Sequence, residues 1–356
     1  MATTYYVEPG VGNDGNAGTN WGAGNSWATF QKAADTATAG DTVYLKGAGT
    51  NAAESLAATI DFDQATCAGT NADGYVRFIG TNSSGVVDGS RYVVDFGSNA
   101  VHGFTLAATA DLLWFENIEI RHAGSGKMGI TASATVTGCI FLNCWIHGCG
   151  SHGWSTANMS YCYFIRCGAD CNGGSGFVGS AGNVYLFCCS TGNTASGFLY
   201  CMHITGCVAH ANTGNNITFS ATLPGFALNC VADGGSADGI ANTAGTALIA
   251  SVVIGCRITN NSASGTKYGL NCAADPCVYG WNYFKDNGDA QADDVYDDAI
   301  AKIIPSGYSG GNPVDSNVYS TSESDDGYVD QANHDFSTSY NAGDTSRRMA
   351  VIIPFS

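Results

Sequence analysis

From about Trp114 to Phe284 the chain alternates apolar and polar residues in short runs, and one phrase keeps returning. It reads FENIEI (115–120), FLNCWI (141–146), YCYFI (161–165), FCCS (187–190), TGCVA (205–209), LNCVA (228–232), IGCRI (254–258) and YGWNYF (279–284). Superposed, these phrases put Ile118, Cys144, Cys162, Cys188, Cys207, Cys230, Cys256 and Trp281 in one column, at steps of 18 to 26 residues. Each of the first seven is followed, 9 to 14 residues on, by Gly or Asn and an apolar residue, as in Gly153-Trp154, Gly176-Phe177 and Gly239-Ile240. Two short strands per repeat, separated by Gly, Asn, Ser and Asp, are the elements this pattern predicts.

A repeat of this length specifies a solenoid. Helical periodicity is missing through the repeats, and leucine is too scarce for a leucine-rich scaffold. The reading is all-β, a right-handed parallel β-helix with a short N-terminal capping helix. In stacked coils an inward residue lies over its equivalent at the inter-strand spacing of about 4.8 Å. A small, buriable side chain such as Cys suits that ladder.

Residues 1–50 read as a cap of strand, helix and strand. Ser26 is the expected N-cap, Trp27, Phe30, Ala33, Ala34 and Ala37 the apolar helix face, and Gly40 the stop. Residues 51–304 form the parallel β-helix, and residues 305–356 a closing coil with an apolar tail, AVIIPF. That tail is expected to close the solenoid as a last strand or to dock on a neighbouring subunit, giving self-association or assembly into a particle.

The YYV strand, the GND and GT loop, the WATFQKAAD helix and GDTVYL resemble the N-terminal signature of right-handed parallel β-helix repeat proteins, the pectate-lyase-like superfamily. GYVDQANHDFSTSYNAGDTS (327–346) is similar to the closing coil of such proteins. The resemblance implies the fold and leaves function open among polysaccharide lyases, hydrolases, epimerases, adhesins and phage tailspikes. Pectate lyases of this fold use an Arg or Lys base with calcium on clustered carboxylates, and the hydrolases set three Asp on adjacent coils.

Composition narrows the partners. The formal net charge is −17 with only 13 Lys and Arg, which argues against nucleic acid or an anionic membrane. No run of apolar residues is long enough to span a bilayer. The N-terminus, MATTYYVEPG, has neither a basic region nor an apolar one, so the expected location is the cytoplasm, or a virion or the extracellular space after release without a signal. The 15 Cys recur at coil length and are expected to be mostly reduced structural thiols.

Two candidate sites emerge. Glu119, Arg121, Trp145 and His147 should meet on neighbouring coils, with Tyr163 on the next, as a glycan-binding face; a catalytic version would use His147 or Arg121 as base and Glu119 as acid or metal ligand. The bland alternative is an exposed face with a Glu119–Arg121 ion pair. Asp286, Asp289, Asp293 and Asp294 in the acidic run KDNGDAQADDVYDD would offer oxygens to calcium, or else form a solvated loop; no other cofactor is implied. No two carboxylates fall on adjacent coils in the outward columns. The functional expectation is therefore a non-enzymatic structural or attachment protein, a virion-associated β-helix that binds glycans. The alternatives are a polysaccharide lyase or glycoside hydrolase, and a cell-surface adhesin or filament subunit.

Overall fold

The computed structural model describes residues 2–47, 54–64, 67–220, 223–242, 251–261, 268–272, 277–280, 282–285 and 287. Beyond these it describes the short strands Val295–Tyr296, Val318–Ser320, Tyr328–Asp330 and Asp335–Thr338. The chain winds through three long parallel sheets of 11, 10 and 11 strands. One coil runs Leu113–Glu116 in the first sheet, Ile118–Arg121 in the third and Ile130–Ala132 in the second, then re-enters the first at Ile140–Leu142. Each strand pairs in register with its equivalent one coil on, which is the parallel β-helix the repeats specify, right-handed as parallel crossovers are.

Strands this short need sharp corners. The corner between the first and third sheets is a single residue with positive φ: Asn117, Asn143, Arg166, Phe187, Gly206, Asn229 and Gly255 fill it coil by coil, at 51° to 66°. Non-glycine residues are held there by the pairing on either side rather than by their own preference. At Gly206 the constraint is doubled, because a Cβ would lie 2.7 Å from the Phe187 ring folded over it.

Inside, one aromatic column runs Phe78, Phe115, Phe141, Phe164 and Tyr185, with successive centroids 4.9 to 5.4 Å apart and nearly parallel planes. The register sets that spacing. Beside it stands the cysteine column, with two members changed. Cys167, not Cys162, follows Cys144, because Gly168 N–H bonds to Cys144 O; Cys162 belongs at the entrance to the first sheet, one coil on from Cys139. At the far end Asn282, not Trp281, follows Cys256, as Tyr283 N–H bonds to Cys256 O. YCYFI resembles the preceding phrase by composition but aligns with CIFL, so matching on the Cys alone shifts that coil by five residues.

These thiols are more than filler. Cys167, Cys188, Cys207 and Cys256 each donate to a carbonyl of the coil before, Phe141, Phe164, Tyr185 and Ala227, at 3.2 to 3.4 Å. Asn282 takes the same place with Nδ2 2.9 Å from Val253 O. A second, asparagine ladder lines the next corner: Asn193, Asn212, Asn261 and Asn287 each donate to the coil before at 2.9 to 3.1 Å. All four are buried, and the ladder satisfies carbonyls that the corners leave outside the sheets.

The N-terminal helix spans Phe30–Thr36 and buries Phe30, Ala33 and Ala34 over the first coils. Its N-cap is Thr29, whose Oγ1 accepts from Lys32 N at 3.1 Å; Ser26 is buried and donates instead to Gly22 O. The helix also ends earlier than expected, at Thr36 with an extended Ala37, and Gly40 serves the turn before the next strand.

Candidate functional site

The outer face of the third sheet carries two columns of outward side chains. One runs Asp95, Arg121, His147, Asp170, Thr191, His210, Asp233 and Thr259. Its neighbour runs Val93, Glu119, Trp145, Gly168, Cys189, Val208, Val231 and Arg257. Alternation along each strand puts both columns outside while Ile120, Ile146 and Ala169 go in.

Glu119 is the centre of a charged cluster. Its Oε1 accepts from Arg121 Nε at 2.5 Å and lies 3.1 Å from His147 Nε2, and its Oε2 is 4.0 Å from an Arg91 terminal nitrogen. Burial pushes the Glu119 carboxyl up, but hydrogen bonds and charge from His147 and Arg121 outweigh it and hold the group at about 2. Arg91 arrives from the start of the preceding coil, anchored by Nε to Asn143 O at 3.1 Å and by its other terminal nitrogen to Asn143 Oδ1 at 3.0 Å. Its guanidinium sits 5.0 Å from the Trp145 ring centroid.

Trp145 lies against the Gly168 backbone and donates its indole N–H to Asp170. The ring is thus half-buried between protein groups, not the open aromatic platform expected. His122, at the corner beside this cluster, bonds Asp95 through Nδ1 at 3.0 Å and meets the His147 ring. Burial raises the Asp95 carboxyl while the Gly97 N–H and His122 lower it, and the lowering wins.

Further along the same column, His210 Nδ1 is 3.0 Å from Asp233 Oδ2. Asp233 Oδ1 accepts from Thr259 Oγ1 at 2.6 Å and Asn260 Nδ2 at 2.9 Å. The Asp233 carboxyl, raised by burial but lowered more by these donors, sits at about 2; the bond to Asp233 raises His210.

Four of the five expected glycan residues, Glu119, Arg121, Trp145 and His147, therefore meet. Tyr163 does not. It faces out from the first sheet between Ile140 and Val184, a displacement that follows from the Cys162 register. Arg91, Asp95, His122 and Asp170 were missed; Asp170 becomes legible once Cys167 heads the repeat, since GAD (168–170) then aligns with WIH (145–147). Glu119 at about 2 is ionised at neutral pH, which removes the role of acid.

Asp286, Asp289, Asp293 and Asp294 lie outside the described residues, as does the C-terminal tail. Among the described residues no group of three or more His, Cys, Asp or Glu is arranged to hold a metal. The third-sheet carboxylates do not fit a calcium cage: Asp95 and Asp170 stand three coils apart, Glu119 is held among Arg121, His147 and Arg91, and Asp233 pairs with His210, Thr259 and Asn260.

No model of a protein family matches the chain, and no curated protein matches it. Among solved structures it is similar to the pectate lyase Pel9A, with a TM-score of 0.66 and 19% identity over 100% of this chain and 94% of that one. It is also similar to a rhamnogalacturonan lyase, with a TM-score of 0.50 and 16% identity over 81% of this chain and 75% of that one. At these identities the likeness is one of fold: the chain is a parallel β-helix, the fold it shares with that pectate lyase.

Proposed function

We propose that the chain binds and cleaves an acidic polysaccharide, by elimination, on the outer face of the third sheet around Glu119, Arg121, His147 and Asp170. The observation that carries this reading is the convergence of two guanidiniums, Arg91 and Arg121, on one carboxylate beside an imidazole, in a chain of net charge −17. Guanidiniums brought together on an otherwise acidic protein offer an anionic ligand partners that the rest of its surface lacks. The solved structures of similar fold are named as lyases of pectate and rhamnogalacturonan, which supports the same class of substrate.

The geometry suggests roles. Elimination from a uronic acid needs a base to take the proton beside the carboxylate, a cation to stabilise the charge that develops, and departure of the glycosidic oxygen as the carbon–carbon double bond forms. His147 holds Nε2 toward Glu119, and the carboxylate fixes the tautomer that leaves Nδ1 as the base. Arg121 uses Nε and one terminal nitrogen on Glu119 and keeps the other for the uronate carboxylate.

The test is incubation of the purified chain with polygalacturonate and other uronate glycans, following the ultraviolet absorbance of unsaturated products. Activity lost in His147→Ala and Arg121→Ala supports the reading. Neither binding nor cleavage of any acidic glycan overturns it. Binding without cleavage would move the chain to the second reading, a structural or attachment protein of a virion that holds glycans at this face. That reading draws on the way the Glu119 cluster is already paired within the protein.

A further inference from the structure

The outer face of the first sheet is built differently from the third. One outward column runs Ile140, Tyr163, Val184, His203, Phe226, Val252 and Val278; the other runs Leu142, Ile165, Leu186, Thr205, Leu228 and Ile254. Over this stretch neither contains Asp, Glu, Lys or Arg; charge begins one and two coils earlier, where the columns continue into Glu116 and, through Trp114, into Arg77. The corners extend the apolar surface with Tyr161, Phe187 and Tyr200, 68%, 58% and 47% exposed, and Tyr163 itself is 45% exposed; the exposed Arg166, one coil before Phe187, is a charge at that edge. An acidic, otherwise polar protein does not leave such a surface in water without a use.

We infer that this face is where two copies of the chain associate, sheet against sheet. Six inter-strand steps at about 4.8 Å by a width of about 20 Å give ~600 Å² per copy, enough for the lower end of stable interfaces. Charge selects the partner. A chain of net charge −17 repels its own copy, and this apolar strip is a surface on which a copy can pack without bringing like charges into contact. Symmetry permits it, because His203 lies midway along the uncharged stretch from Ile140 to Val278. A two-fold axis lying in the interface along that strand lays each apolar column on itself in reverse, the self-complementary arrangement a symmetric dimer needs.

The other occupants fit less well. A glycan requires polar partners that Ile, Val and Leu do not supply. An anionic lipid surface is repelled by the net charge. The inference is independent of the glycan reading and leaves the third-sheet face open to solvent.

Sedimentation velocity and native mass spectrometry of the full chain over a range of concentrations test it. The expected result is a dimer. Leu186→Lys with Leu228→Lys should weaken it by about 100-fold or more, since the lysines would be buried against apolar surface. Val208→Lys with Val231→Lys adds the same charge on the third sheet and should leave the dimer intact. If circular dichroism shows that the first pair has cost the fold, Leu186→Ser with Leu228→Ser takes its place, with a smaller shift in the same direction. A wild-type chain that is monomeric throughout overturns the inference, even if this face then captures anionic vesicles or polysaccharide. Equal loss of the dimer in both lysine pairs overturns it as well.

Discussion

The Trp145 ring rests on the backbone of Gly168 one coil on, so closely that a Cβ at Gly168 would lie 2.2 Å from the indole. The contact places the indole N–H on Asp170 and leaves the ring within reach of Arg91, which also leans toward Glu119. Position 168 thereby governs a charged cluster that it does not touch.

Gly168→Ala should displace the indole and, with it, the Asp170 and Arg91 contacts. Overpacking of this kind costs about 1–3 kcal/mol. The expected result is a lower melting temperature and a shifted Trp fluorescence maximum. If acidic glycans bind here, their affinity should fall too. An unchanged emission spectrum would mean that the indole does not rest on Gly168.

Acid should unfold the protein through Glu119 and Asp233. Both are held at about 2 in the fold, below unfolded values of about 4.3 and 3.9. A depressed carboxyl contributes stability that is present above its unfolded value and lost as the pH falls toward 2. His210 has the opposite sign: its raised value contributes below the unfolded value of about 6.5 and is lost as the pH rises through the folded one. Melting temperatures across the pH range should therefore fall on the acid side. Glu119→Gln should flatten that slope, and an equal slope in wild type and variant would show that Glu119 carries none of it.

The fold was legible because its cause is periodic: an inward residue must recur at coil length whatever the loop between, and short alternating runs cannot pack as helices. The register was legible only in part. Cys162 and Cys167 are both cysteines five residues apart, and only backbone pairing distinguishes which one stands over Cys144. That one coil carried Tyr163 into the expected site and Asp170 out of it. Arg91 had no signal at all, since it joins the cluster from outside its strand through Asn143. The Thr29 cap was missed because Ser26, three residues earlier, has the same chemistry and bonds elsewhere.

The cysteine column should tolerate Ser better than Ala. Cys207 Sγ donates to Tyr185 O at 3.4 Å and accepts from Cys188 N at 3.2 Å, so a hydroxyl keeps partners that a methyl group does not. Cys207→Ala leaves both backbone groups buried and short of a bond, at about 1–3 kcal/mol. Denaturant unfolding of the two variants should rank Ser above Ala in midpoint. The reverse order would show that the thiol is only apolar filler.

Thiol labelling gives the last prediction. The 15 cysteines are all thiols in this structure; Cys171 is exposed, Cys189 half-buried and the other 13 buried. Cys171 occupies a positive-φ corner and its neighbour Asp170 bears a carboxylate. Burial and then that charge raise its pKa, so it should react more slowly than a free cysteine at neutral pH. Alkylation of the native protein followed by peptide mass spectrometry should therefore find Cys171 modified first, at a rate that climbs with pH. Cys189, pushed up to about 11, should follow far behind, and the buried ladder should label only in denaturant. Early modification of Cys144, Cys167 or Cys188 would mean that the coils around the Glu119 cluster open in solution, and the third-sheet face would have to be reconsidered as a moving part.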